Sequence, residues 1–137
     1  MKSFRLLALT LALLACCFTG PAAARTAHPA EQRLVGIWQD DKDPENIIQF
    51  FPDHRVRIYV SRRDGQADKL HWIDGRWQLA RGRDLTMTLH MPSNGGMSRV
   101  RRFTLLFRKQ ALVVKSRGKV AGRQHRISEA TLKKHLW

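Results

Sequence analysis

Between Leu85 and Met91 four apolar side chains, Leu85, Met87, Leu89 and Met91, alternate strictly with Thr86, Thr88 and His90. Side chains on a β-strand point to opposite faces with a period of two, so this run reads as a strand with one dry and one wet face. From Leu34 onward similar short apolar runs recur, separated by turn residues every eight to twelve positions. That spacing predicts an all-β domain, an antiparallel meander forming a small barrel or half-barrel.

The expected strands are Leu34 to Gln39, Asn46 to Phe51, Arg55 to Val60, Leu70 to Leu79, Leu85 to Met91, Arg99 to Phe107, Ala111 to Lys115 and a last short one at Arg123 to Ile127. Asp40-Asp41-Lys42-Asp43-Pro44 and Pro52-Asp53-His54 supply turn chemistry. Arg62 to Lys69 and Pro92 to Ser98 read as loops, Asp74-Gly75 as a bend or bulge, and Gly118 to Gly122 as a turn region. One core is expected to collect Trp38, Phe50, Val56, Ile58, Leu85, Met87, Leu89, Phe103 and Leu105, each in the apolar phase of its run. The only sizeable helix is expected at 128–137. Ser128 is its N-cap, Glu129 lies in its first turn and Lys133, Lys134 and His135 near its end, an order that suits the helix dipole.

The N-terminus has the parts of a secretory signal: Lys2 and Arg5, an apolar stretch from Leu6 to Phe18, then Pro21-Ala22-Ala23-Ala24. The apolar stretch is thirteen residues, shorter than the ~20 of a membrane-spanning helix. Segment 1–24 is therefore expected to be removed after Ala24, releasing a periplasmic or secreted protein. Leu13-Leu14-Ala15-Cys16 offers a competing route, lipidation at Cys16 as an outer-membrane lipoprotein, which would leave the Ala-Ala-Ala site without a purpose. Both cysteines lie in the signal, so the mature chain has neither a disulfide nor a thiolate ligand. Residues 25–33 read as a flexible N-terminal segment, either a short tether or a first helical turn, and 34–137 as one domain.

Net charge is +14, unevenly placed: residues 25–75 carry nine acids and eight bases, whereas residues 76–137 carry Asp84 and Glu129 against fifteen Lys or Arg. A field of this sign concentrates polyanions. Arg99, Arg101, Arg102, Arg108, Lys109, Lys115, Arg117 and Arg123 lie on successive strands or turns and are the candidate anion-binding residues. Arginine suits phosphate and carboxylate through its planar fork, and Phe103, Leu106 and Val113 are interleaved with these cations. The expected partners are an anionic lipid, lipopolysaccharide, an acidic polysaccharide or an envelope protein, with peripheral membrane contact; nucleic acid is not expected outside the cytoplasm. A merely soluble basic surface is the alternative.

Gly36-Ile37-Trp38 opens the first strand and Gly75-Arg76-Trp77 recurs in the fourth, each followed by Gln. Between them stands Ile48-Gln49-Phe50-Phe51-Pro52-Asp53, and after them Gly82-Arg83-Asp84-Leu85-Thr86-Met87-Thr88-Leu89. This ordered series, from Leu34 to Leu89, resembles the small lipocalin-like, calycin-type β-barrel domains of bacterial exported proteins. The resemblance implies that Trp38 packs across the closed end of a barrel, and that Gly36, Trp38, Gly75 and Trp77 are structural residues.

The search for chemistry gives no expected catalytic residue, metal ligand or cofactor. The histidines show no metal-ligand pair with a cysteine, and no serine stands in a strand–turn–helix elbow. Asp40, Asp41, Asp43 and Glu45 crowd beside a proline, where turn chemistry accounts for them better than acid–base work, and they lack the glycine and terminal glutamate of a calcium-binding EF-hand loop. The favoured function is non-enzymatic binding or accessory work in the cell envelope. Its alternative is a small β-barrel hydrolase or isomerase acting on an acidic envelope substrate through His71, His90 or the Asp40–Glu45 group.

Overall fold

The computed structural model describes residues 27–61, 70–91 and 95–136. The segment expected to be a signal, with Cys16, the start of the 25–33 segment, residues 62–69 and 92–94, and Trp137 lie outside the described residues. The elements in chain order are α1 (Pro29–Leu34), β1 (Gly36–Asp40), β2 (Ile47–Phe50), β3 (Arg55–Ser61), β4 (Leu70–Ala80), β5 (Asp84–Met91), β6 (Met97–Phe107), β7 (Ala111–Ser116), β8 (Lys119–Ile127) and α2 (Glu129–Leu136). The eight strands form an antiparallel up-and-down meander that closes on itself, β8 pairing with β1 from Ile37↔Ile127 to Asp40↔Gln124. A closed barrel, and not a half-barrel, is thus the architecture, and closure leaves no bare sheet edge along the paired wall.

Alternation sorts the side chains as expected. Trp38, Phe50, Val56, Leu85, Met87, Leu89 and Leu105 are buried in one interior cluster, with Ile58 and Phe103 packed against it. The second apolar cluster lies outside the barrel. Leu132 of α2 meets Ile37, Ile47 and Tyr59, which occupy the outward phase of β1, β2 and β3, and Ile127 and Leu136 pack beside them. Helix α2 thus covers the outer wall rather than an end of the barrel. Its N-terminus is capped as the sequence implies, the Ser128 hydroxyl accepting from the Thr131 N–H at 3.1 Å.

Some boundaries differ from expectation, each for a tertiary reason. Leu34 ends α1 instead of opening a strand, and its fully buried side chain plugs the barrel floor. Pro29 at the helix start and the His28 side chain, which accepts from the Ala30 N–H, favour that turn of helix. Strand β4 runs through Asp74-Gly75 without a break, because Gly75 lets the β5 backbone approach: a Cβ there would collide with the Thr88 carbonyl oxygen. β6 begins at Met97, and β8 begins at Lys119 and includes Gly122, so both segments read as loop or turn are partly strand. The register irregularity lies instead at Val114/Lys115 against β8.

Candidate functional site

The two ends of the barrel are built differently. At the floor, Trp38 is 3% exposed and its indole N–H donates to the Leu34 carbonyl at 2.8 Å. The Arg126 guanidinium lies 4.7 Å from the Trp38 ring centroid and donates to the Val35 and Arg33 carbonyls at 2.7 and 2.6 Å. One cation thereby satisfies the end of α1 and covers the tryptophan face. Gly36 makes room for it: its φ is +138°, and a Cβ would collide with the Arg126 guanidinium. Trp77 is equally deep. Its indole N–H donates to the Phe51 carbonyl at 3.2 Å, its ring stacks on His54 at 4.6 Å and meets Phe50 edge-on at 5.8 Å. Gly36, Trp38 and Trp77 thus lie at the packed floor, and Gly75 where β5 approaches β4 closely.

Above this floor the barrel is hollow. A cavity of about 670 Å³ is walled by Ile48, Phe50, Ile58, Leu85, Met87 and Leu105, among other apolar side chains, and Arg99 and Arg101 line it toward the mouth. The register explains their position. Arg99 stands opposite Leu89 and Arg101 opposite Met87, so both occupy the inward phase of β6 that Phe103 and Leu105 continue. Among the described residues neither guanidinium belongs to an ion pair. An eight-stranded barrel has an interior that side chains can fill or that can hold one small ligand. This one does the first at the floor and leaves room for the second above it, within the ~300–1,000 Å³ typical of ligand pockets.

The mouth is flared. β3 pairs with β4 out to Ser61↔Leu70, and β5 with β6 out to Met91↔Met97. Among the described residues, however, β4 and β5 part company beyond Gly75↔Leu89, and β6 and β7 beyond Thr104↔Lys115. Two ribbons, β3–β4 and β5–β6, therefore stand beyond the closed wall. The arginines of β6 lie where an exposed strand edge would otherwise invite another strand, and charge there also discourages such pairing.

The other candidate cations are placed elsewhere. Arg102 faces outward opposite Thr86, Lys115 outward opposite Thr104, and Arg123 outward opposite Val113. Arg123 approaches Asp41 at 3.5 Å, and His125 approaches the same carboxylate at 2.7 Å. Arg108 and Lys109 sit at the floor-end turn between β6 and β7, and Arg117 at the mouth-end turn between β7 and β8. The fold thus brings Arg99 and Arg101 together in the mouth and distributes the rest over the outer wall and both ends. Arg126 is the cation with the most specific structural role. Only its contacts with the end of α1, 91 and 93 residues away in sequence, reveal that role.

His71 and His90 lie on neighbouring strands but on opposite faces. His71 pairs with Val60 on the inward phase, whereas His90 faces outward and is 3.1 Å from the Ser98 hydroxyl. Asp40 and Asp43 hold the β1–β2 loop: Asp40 accepts from the Lys42 and Asp43 N–H groups at 2.8 and 3.1 Å, and Asp43 from the Glu45 N–H at 3.3 Å. These carboxylates and Glu45 line the mouth on the side of β1 and β2. Among the described residues no group of three His, Cys, Asp or Glu is arranged to hold a metal ion. In comparisons with known proteins the chain matches no family model, no curated protein and no solved structure.

Proposed function

We propose that this protein is a lipocalin-like, exported binding protein of the bacterial envelope that carries one small acidic amphiphile without chemically altering it. The apolar part of the ligand occupies the barrel, and its anionic head sits in the mouth against Arg99 and Arg101. The observation that carries this reading is the pair of inward arginines on the β6 side of the mouth, across from Asp40, Asp43 and Glu45, above the apolar deeper wall of a cavity of about 670 Å³. Cations placed beside apolar walls match a carboxylate or phosphate joined to a hydrocarbon chain, and bidentate geometry makes arginine the suitable donor. The signal-like N-terminus supports export, and the Gly-x-Trp series and the buried role of Trp38 support the lipocalin-like assignment.

Calorimetric titration with dodecanoate and with dodecanol, equal in chain length, tests the proposal. The carboxylate is expected to bind more tightly by at least about ten-fold, the size of one charge-assisted hydrogen bond. Arg99→Gln combined with Arg101→Gln should abolish that preference while leaving alcohol binding unchanged. Arg102→Gln, on the outer wall, should leave both unchanged. Failure of the wild type to bind either compound, or equal affinity for the two, overturns the reading.

A further inference from the structure

We infer that the flared mouth is a docking surface for an anionic lipid bilayer, which it meets with its β5–β8 side. The exposed large apolar side chains are not scattered singly over the surface, as is ordinary for soluble proteins. Val60, Trp72, Met97, Val100 and Val120 are 43, 52, 63, 56 and 65% exposed, and all five lie on strand segments at the mouth end. Val60 and Trp72 belong to the β3–β4 ribbon, Met97 and Val100 to the β5–β6 ribbon, and Val120 to the start of β8 beside the β7–β8 turn. Val60 and Met97 stand on the inward phase at the rim and Trp72, Val100 and Val120 outside it, so apolar side chains ring this end, a shape that enters the headgroup layer rather than a flat protein face.

Charge identifies the occupant and the tilt. Arg117 and Lys119 come just before Val120 in the chain, and Arg99 and Arg101 follow Met97 on β6 and line the cavity. Asp40, Asp41, Asp43 and Glu45 occupy the β1–β2 side of the mouth. An anionic surface therefore attracts the β5–β8 lip and repels the opposite one. A second copy is disfavoured as the occupant, because the chain without residues 1–24 still carries 23 basic against 11 acidic residues, and two such chains repel each other as wholes. Among the described residues no helix is long and apolar enough to cross a membrane. The inference rests on the amphiphile reading for its purpose, since a mouth applied to the bilayer would exchange an acidic lipid directly with the cavity; its geometry stands on the surface residues alone.

Flotation with vesicles of phosphatidylglycerol and phosphatidylcholine in equal parts, against pure phosphatidylcholine, tests it. The protein should float with the anionic vesicles only, and less so as salt rises. Arg117→Gln with Lys119→Gln should lower the partition coefficient roughly 30-fold, about five-fold per cation. Met97→Asp with Val100→Asp should abolish flotation, and Glu45→Gln should strengthen it a few-fold, by the same per-charge effect. Neither lip pair lines the cavity, so both variants should bind dodecanoate in lipid-free buffer as the wild type does, which also verifies their fold. A cavity-filling Leu89→Trp variant should lose dodecanoate yet float normally. Flotation unchanged in both lip variants, equal flotation with both vesicle types, or a dimer in sedimentation that the lip substitutions dissociate overturns the docking surface. Loss of dodecanoate binding by the wild type with flotation intact overturns the carrier reading instead.

Discussion

The floor and the mouth of this barrel use the same residue types to opposite ends. At the floor an arginine, Arg126, has its donors on two backbone carbonyls and its plane over Trp38. At the mouth Arg99 and Arg101 line a cavity and, among the described residues, form no ion pair. Tryptophan shows the same split: Trp38 and Trp77 are buried with their N–H groups satisfied, whereas Trp72 is half exposed beneath Arg57, which lies 5.1 Å from its ring and bonds Asp74 at 2.7 Å. The floor is where polar groups are satisfied and rings interlock; the mouth is where charged groups are left facing open space, which is where the proposed ligand would bind.

Substitutions at the two ends should therefore separate stability from binding. Trp38→Ala, or Trp77→Ala, should cost about 3–5 kcal/mol by leaving a large void in the packed floor, read as a fall in the denaturation midpoint. Stability near wild type in either variant would mean that the floor is not the stabilising end. Arg126→Met should cost about 2 kcal/mol, because it strands the Val35 and Arg33 carbonyls and uncovers Trp38. Gly36→Ala should be destabilising for the same reason, since its Cβ displaces that guanidinium. By contrast, Arg99→Gln with Arg101→Gln should leave stability within about 0.5 kcal/mol while removing the preference for an acidic ligand. A large loss of stability there would show that the mouth arginines are structural.

The smallest effect is expected at the floor-end turn between β2 and β3. Arg55 bonds Asp53 at 2.6 Å and holds its carboxyl below the ordinary value. A carboxylate with a depressed folded-state pKa adds stability above its unfolded value and loses it as pH falls through the folded one. Asp53→Asn should therefore slightly narrow the difference in stability between neutral and strongly acidic pH, followed by thermal midpoint across that range. Both partners are exposed to solvent, so the change should be close to the limit of detection.

The strands were legible because alternation is local: each of Leu85, Met87 and Leu89 shows its buried phase by its two neighbours. The positions of Leu34 and Gly75 were less legible. One is drawn into a helix by what it plugs, and the other is kept in a continuous strand by how closely β5 approaches. The cationic imbalance was visible, but the separate location of each charge was not. Arg101 and Arg102 are adjacent in sequence, yet one faces the cavity and the other the outer wall; alternation with Phe103 and Leu105 placed Arg102 on the outer face, but nothing local showed that the inner face at Arg101 borders an open cavity.

By itself the sequence determined the all-β class, the antiparallel order of neighbouring strands, the capped terminal helix and much of the core, though not that Leu34, Trp77 and Leu112 belong to it. These depend on spacing between residues close in the chain, where the period of two and the turn residues act directly. Only the tertiary structure decided that β8 closes onto β1, that Arg126 seals Trp38, that a cavity survives above the floor, and that the exposed apolar residues gather at one mouth. Those outcomes depend on register between distant strands and on where paired walls stop, and neither is written in any local stretch of the chain.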